Sequence, residues 1–488
     1  MNHTKGEGIY NVVVIGAGTA GLVTAAGTAG LGGRVALIER HKMGGDCLNF
    51  GCVPSKALIS SARLVQRIRD AEQWGLEKQE PRFAFERVFE RMRGLRAKIA
   101  PNDSQERFES LGVDVFRAEA KFLSPYRVAV GDRVLQAKNF VIATGSRATI
   151  PNIPGIEATK FFTNETIFDE LRVKPGKMII LGGGPIGCEL AQTFGRLGVS
   201  VTIVQRGDQI LPREDRDAAD FVAARLAGEG VQIIKGSDAL SAAITAKNDV
   251  TVELVTRSNS ARPTLVADAL LLATGRTPNF RSLDLKAAGV EVDEKQIRVN
   301  DFLQTSRAHI YAVGDVIGPF LFTHMADAQA RVVVRNILMP FQFLRQEIDY
   351  SVVPRCTYVD PEVATVGLNE SAAKKRNIDY DLLVLKMEEL DRAVVESEEG
   401  GFAKVLVAKG TDKILGATLV CDHAGDLLHE LVLAMRHGIG LGGIASTIHA
   451  YPTFAELARK LGDKYNKKRL TPTARQIFGW LYRRRRRA

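Results

Sequence analysis

The sequence predicts an α/β protein built around two copies of one strand–glycine turn–helix unit, and three observations carry that prediction. Asn11-Val-Val-Val-Ile15 is an unbroken apolar run, as in a parallel strand buried on both faces, and Gly16-Ala-Gly18-Thr-Ala-Gly21 follows directly and opens an Ala-rich helix. Met178-Ile-Ile-Leu181 leads in the same way into Gly182-Gly-Gly184-Pro-Ile-Gly187 and a second helix. Two further strand ends, Val141-Ile-Ala-Thr144-Gly145 and Leu271-Leu-Ala-Thr274-Gly275, also match each other, as expected where the chain leaves one domain for another.

Each unit has a reason to be what it is. Glycines at these spacings let the backbone approach a pyrophosphate, which rests on the N-terminus of the following helix. One such turn is often a plain tight turn; two in the same context point to two dinucleotide sites. The end of the second strand selects the nucleotide. Counting 23 residues from the first glycine gives Glu39 in the first unit and Gln205 in the second. An acid there accepts hydrogen bonds from a ribose diol and repels a 2′-phosphate. A neutral Gln205 followed by Arg206, with Arg213 nearby, removes the repulsion and offers cations. The first site therefore reads as FAD and the second as NADPH in preference to NADH. Arginines exposed on a solvated loop are the other reading of Arg206 and Arg213. Gly314-Asp315, after the apolar strand His309–Val313, places a carboxylate where it suits a hydroxyl-rich chain such as ribityl; a plain Asx turn is the alternative.

Cys47 and Cys52 lie in Gly44-Gly45-Asp46-Cys47-Leu48-Asn49-Phe50-Gly51-Cys52-Val53-Pro54-Ser55-Lys56, about thirty residues beyond the first glycine turn. Two thiols five residues apart, in a loop running into a helix, can close a ring, reopen it and pass on two electrons. Two structural cysteines, or half of a zinc site, are the bland readings. Zinc needs four ligands, and no second Cys/His pair at zinc spacing appears.

A chain of 488 residues is too long for one core, so about two to four domains are expected. Five cysteines (47, 52, 188, 356 and 421) fit a reducing cytoplasm, where a disulfide is more often catalytic than structural. Neither a signal-peptide layout nor a bilayer-length apolar run is present. The net charge of +10 is unevenly spread: Leu457–Ala488 carries twelve Lys/Arg against Asp463 alone, a net +11, which leaves −1 for the other 456 residues.

Taken together, these residues resemble the FAD-dependent pyridine nucleotide–disulfide oxidoreductases, from about Asn11 to Glu456, and look closest to the mercuric-reductase-like and dihydrolipoamide-dehydrogenase-like branch. The resemblance implies two Rossmann-like domains, for FAD and NAD(P), and a C-terminal α+β dimerisation domain beginning near Tyr350. The implied segments are 1–150 and 280–349 for FAD, 151–279 for NAD(P), 350–460 for the interface and 461–488 for a basic tail. It also implies a homodimer with a shared active site. Cys52 would then be the charge-transfer thiol and Cys47 the thiol that meets a small-molecule acceptor. Lys56 would lie beside flavin N5, paired with Glu189. Thr323 and His324 would precede an apolar helix from Met325 to about Ile337, its N-terminus aimed at the flavin pyrimidine. Thr144 and Gly145 would join the FAD site, and Gly275 the NAD(P) site.

One stretch departs from the family pattern. Thiol-reducing members carry His-Pro-Thr-x-x-Glu near the C-terminus, whereas this chain has Tyr451-Pro452-Thr453-Phe454-Ala455-Glu456, with His449 two residues earlier. A phenol with an ordinary pKa near 10 is a poor base at neutral pH. The expected acceptors are, in order, a disulfide, a quinone or other small oxidant, and a metal ion. Mercury ranks low, because no cysteine follows Cys421 and nothing before Val12 binds metal. Transhydrogenation ranks low because Cys47 and Cys52 are kept. A binding flavoprotein with idle thiols is the alternative from another class. For the tail, a solvated disordered segment and adsorption to an anionic membrane surface stand level, with Phe478, Trp480 and Leu481 beside the arginines favouring the second. The expected location is cytoplasmic, peripheral at the inner face of a membrane if the tail docks there. Nucleic acid is a distant third partner.

Overall fold

The computed structural model describes residues 5–247, 249–256 and 262–486. The chain forms two compact units, one of Met1–Gln66, Glu80–Asp208 and Gly230–Asp349, the other of Arg67–Gln79, Gln209–Glu229 and Tyr350–Ala488.

In the first unit, Ile9–Ile15 lies inside a seven-stranded sheet. Its order is Asp114–Phe116, Val35–Ile38, Ile9–Ile15, Arg133–Ile142, Arg127–Val130, Ala120–Ser124, with Ile310–Ala312 also pairing Arg133–Ile142. The strands around the glycine turn are parallel, with Val13 opposite both Ala36 and Phe140. Val12, Val13 and Val14 are fully buried, which explains a strand with no polar face. Each such side chain contributes about 1.5–3 kcal/mol on burial. Helix Thr19–Gly30 follows and packs on Thr323–Leu338; a Cβ built on Gly27 would meet Val334 at 3.3 Å, so the small residues of the first helix allow this approach.

The second unit of the repeat forms its own four-stranded parallel sheet, Gln232–Lys235, Ser200–Gln205, Lys177–Leu181, Ala269–Leu272, with helix Pro185–Arg196 after the glycine turn. A three-stranded antiparallel sheet, Ser237–Ile244, Val250–Thr256 and Thr264–Ala267, adjoins it in sequence. The segments that follow the two matching Thr-Gly ends pair with each other: Ser146–Ala148 runs antiparallel to Arg276–Pro278.

The other compact unit holds a five-stranded antiparallel sheet, Arg355–Thr357, Glu362–Gly367, Ile414–Cys421, Phe402–Ala408, Tyr380–Lys386. Helices Ala424–Arg436 and Glu456–Arg469 bury Leu428, Leu431, Leu457 and Leu461 in its core. Lys404 is buried there with its ammonium 3.0 Å or closer to Asp215, Asp217 and Glu370. Three carboxylates offset the desolvation of one cation.

One expectation is corrected here. Thr323 and His324 do not precede the apolar helix but form its first turn, because Phe322 holds the extended conformation that starts the helix one residue later. The described part of the basic segment is largely helical. Helix Glu456–Arg469 runs through residue 461, and Pro472–Arg485 forms a further helix, started by Pro472 and by the Thr471 hydroxyl, which accepts from Ala474 N. Arg487 and Ala488 lie outside the described residues. Among the described residues no helix is long and apolar enough to cross a membrane.

Candidate active site

The two glycine turns have the same stereochemistry. Gly16 and Gly182 have φ of +106° and +109°, and a Cβ there would meet Ala143 O or Ala273 O at 2.4 and 2.3 Å. A Cβ on Gly21 or Gly187 would lie 1.8 or 1.9 Å from the carbonyl of Gly16 or Gly182, so helix and strand touch only because these residues lack one. The middle glycines are different: around Gly184 nothing lies within 4 Å of a Cβ, and at Gly18 the nearest atom is 3.8 Å away. Space in front of the turn is what a pyrophosphate needs.

The strand-end side chains brace the turns. Glu39 accepts from Ala17 N and His41 N, both at 2.7 Å, and Gln205 accepts from Gly183 N at 2.8 Å. A cleft opens beside the first turn, lined by Gly16, Ile38, Glu39, Thr144, Asn279 and neighbours. The Thr144 hydroxyl donates to the Asn279 carbonyl, and Gly145, at φ +65°, turns the chain away. A carboxylate at the cleft, a bare glycine cradle and a helix N-terminus fit an FAD adenosine and pyrophosphate. In the second turn Arg206 is engaged with Asp238 at 2.8 Å, both exposed. Arg213 belongs to the other compact unit, where its carbonyl accepts from Asn369 at 3.0 Å. The matching form of the turn fits an NAD(P) pyrophosphate.

Cys47 lies in the short helix Gly45–Asn49, and Cys52 is the first residue of helix Cys52–Arg69. Both are free thiols. They are not equivalent. The Cys47 thiol donates to Cys52, and this bond, helped by Thr323 and Lys56 against the cost of burial, lowers the Cys52 pKa to about 6. The same bond, with burial and the charge of Asp46, pushes Cys47 well above the ordinary thiol range. Thr323 Oγ1 lies 3.3 Å from Cys52 Sγ, in the first turn of a sixteen-residue helix. His324 stacks on Phe322 with centroids 5.1 Å apart. One turn along from Cys52, Lys56 Nζ donates to Glu189 Oε2 at 2.8 Å, and Glu189 is buried.

Asp315 accepts from the Ser146 hydroxyl at 2.6 Å and lies 3.5 Å from Arg276 Nε; burial raises its pKa. Arg276, Ser146 and Asn164 escaped the reading of the sequence. Arg276 and Ser146 directly follow the two matching Thr-Gly pairs, which was the available signal. Burial works against the charge of Arg276, yet Asp46 and Asp315 together hold its pKa above the usual guanidinium value.

In the other unit, the Tyr451 hydroxyl donates to Asp391 Oδ2 at 3.0 Å, a bond that raises the phenol's pKa. Glu456 is buried and accepts from Arg459 at 2.7 Å, so it is not the group that Tyr451 engages. His449 bonds Glu430 through Nε2 and the Thr447 carbonyl through Nδ1, both at 2.9 Å. Among the described residues no group of three or more His, Cys, Asp or Glu side chains is arranged to hold a metal.

Comparison with known proteins agrees with this geometry. Residues 10–337 match the model of the pyridine nucleotide-disulphide oxidoreductases and 353–461 that of their dimerisation domain. Mercuric reductase of Lysinibacillus sphaericus is 34% identical over 452 residues, covering 92% of this chain and 81% of that protein. Dihydrolipoyl dehydrogenase of Bacillus subtilis (strain 168) is 32% identical over 464 residues, covering 92% and 96%. The solved HOCl-induced flavoprotein disulfide reductase from Escherichia coli superposes with a TM-score of 0.83 at 30% identity, covering 93% of this chain and 99% of that one. Two glycine cradles, an unequal thiol pair and a dimerisation domain meet in one conclusion: the chain belongs to the pyridine nucleotide-disulphide oxidoreductases, homodimeric FAD-dependent enzymes that exchange electrons between NAD(P)H and a redox-active disulfide.

Proposed function

We propose that this enzyme reduces a small disulfide at the expense of NADPH, with Cys47 as the residue that meets the acceptor. The observation that carries the reading is the setting of the thiol pair: Cys52 opens a helix, with Thr323 Oγ1 3.3 Å from its sulfur and Lys56 one turn along, an environment that favours its thiolate and leaves Cys47 as the proton donor. Bound flavin supplies two-electron exchange between nicotinamide and disulfide. The rest falls to the chain's own residues. The proton shared by the thiols passes from Cys47 to Cys52, and the Cys47 thiolate attacks one acceptor sulfur and expels the other as a thiolate, which takes up a proton. Cys52 then gives up its proton and attacks Cys47, releasing the second acceptor thiol and re-forming the Cys47–Cys52 bond. The sum is NAD(P)H, a proton and a disulfide in, NAD(P)+ and two thiols out. Lys56, held by Glu189, keeps a positive charge beside the thiolate.

Within this proposal, 1–150 and 280–349 hold FAD, 151–279 holds NAD(P), 350–460 forms the dimer, and Tyr451 and Glu456 of the partner chain complete a shared site. The 461–488 segment belongs to an anionic membrane surface at the inner face of a cytoplasmic membrane. It is supported by the exposure of Ile477, Phe478, Trp480 and Tyr482 on a helix without acids. Lys464 and Lys468, in contrast, pair with Glu389 and Asp381.

The test is NADPH and NADH oxidation by the FAD-loaded protein against lipoamide, oxidised glutathione, a quinone, Hg(II) and Cu(II), each repeated with Cys47→Ser. Cu(II) is included because the Escherichia coli relative was solved as its Cu(II) complex. Turnover of a disulfide that vanishes in Cys47→Ser supports the reading. Turnover indifferent to Cys47 sinks it and places electron exit at the flavin.

A further inference from the structure

Asp46 is an ionisable residue set between two glycines and a redox thiol, and the chemistry above gives it no task. Its Oδ1 accepts from Arg276 Nη2 at 3.0 Å and from Asn164 Nδ2 at 3.2 Å. Its carbonyl accepts from Phe50 N at 2.8 Å, and a Cβ on Gly51 would lie 2.9 Å from Oδ2. The carboxylate therefore lies against the loop that joins the two thiols. Buried Asn164 also donates to the Phe50 carbonyl at 3.2 Å, so that loop is held at both ends. Arg276 is fixed in turn: its Nε donates to the Ser146 hydroxyl at 2.7 Å and faces Asp315.

We propose that Asp46 and Arg276 are positioning residues, a charge pair that sets how readily the Cys47–Cys52 bond accepts electrons. The inference rests on the thiols being the redox centre. Opening the bond takes two electrons and one proton, both electrons coming from NAD(P)H. The S–S bond breaks, the proton ends on Cys47, and Cys52 keeps a negative charge that the closed form lacks. A carboxylate on the adjoining loop opposes that charge, and the guanidinium on the carboxylate moderates the opposition. Asp46 acts on both thiols in this sense. The remaining groups facing the pair are Lys56 from the Cys52 helix, with Glu189 behind it, and Thr323 from the facing helix.

The pair predicts opposite effects for its two halves, which mere loosening of the loop does not. The FAD-loaded full chain, chemically reduced, is treated with iodoacetamide across pH, and labelling of Cys47 and Cys52 is read by peptide mass. Asp46→Asn lowers the pH midpoint of Cys52 labelling by about one unit, Arg276→Gln raises it, and Asp46→Glu restores the wild-type value. Either variant alone carries the test should the other fail to fold. No shift, or shifts of the same sign in Asp46→Asn and Arg276→Gln, overturns the proposal. Absence of any reducible Cys47–Cys52 bond in the oxidised wild type removes the redox reading along with it.

Discussion

Lys56 Nζ donates to Glu189 Oε2 at 2.8 Å across 133 residues of sequence, tying the helix that begins at Cys52 to the helix after the second glycine turn. The ammonium is held one turn from the thiolate it favours, so its loss acts on Cys52. Lys56→Met raises the Cys52 pKa from about 6 toward the ordinary thiol range. A depressed thiol pKa means the thiolate is present above it and is lost as pH falls through it. In wild type, Cys47-dependent turnover therefore falls below about pH 6, and in Lys56→Met the fall moves to higher pH. Coincident pH–rate profiles would show that Lys56 does not reach the thiol.

The paired glycines separate the two nucleotide sites. Gly21→Ala places a methyl group 1.8 Å from Gly16 O, and Gly187→Ala places one 1.9 Å from Gly182 O. Gly21→Ala is expected to purify without flavin absorbance. Gly187→Ala keeps its FAD but loses reduction by NADPH and NADH, at least about tenfold in kcat/KM. Flavin retained in Gly21→Ala, with normal reduction, would contradict the assignment of the first turn.

Much of this was legible in the sequence because it depends on local rules. Unbroken apolar strands, glycines that backbone contacts demand, and the Cys52-to-Lys56 helical spacing all declare themselves within a short window. The Asp46–Arg276 pair does not, since its partners are brought together only when the two Thr-Gly segments form a sheet. Tyr451 and Asp391 illustrate the same limit: the acid nearest in sequence, Glu456, is taken by Arg459 on its own helix, and the phenol turns to Asp391. The last helix of the tail was not legible from composition, which registers its arginines but not Thr471 and Pro472, which begin that helix.

Glu398 should make stability depend on pH. Burial, with Asp422 and Asp360 nearby and only partly offset by Arg67 and Arg225, raises its pKa to about 7. An acid raised in the folded state stabilises fully below its unfolded pKa, and that stability is lost as pH rises through the folded value. Glu398→Gln is therefore expected to increase stability at pH 8 by about 1–2 kcal/mol, with the gain fading toward pH 5. A Tm difference that stays constant from pH 5 to pH 8 would remove Glu398 as the cause.

Tyr451→His tests the departure from the family pattern. The phenol already donates to Asp391, which raises its pKa further from neutrality. An imidazole at this position, with Asp391 as its partner, titrates where the reaction runs. Turnover of small dithiols or disulfides should rise about tenfold or more. A folded dimer with no gain on any such substrate would dissociate position 451 from proton transfer.

Gln205→Glu tests nucleotide choice. Gln205 Oε1 accepts from Gly183 N at 2.8 Å, and a glutamate keeps that acceptor while adding a negative charge, as Glu39 does in the first turn by accepting from Ala17 N. The added charge repels a 2′-phosphate but accepts from a ribose diol. The kcat/KM ratio of NADPH to NADH should fall about tenfold in Gln205→Glu. Asp238→Asn should move it the other way, because Arg206 is then released from its 2.8 Å ion pair to meet the phosphate. The two variants act through different residues, so opposite shifts locate the 2′-position between Gln205 and Arg206. A ratio unmoved in both would place the selecting residues elsewhere and return NADH to equal standing with NADPH.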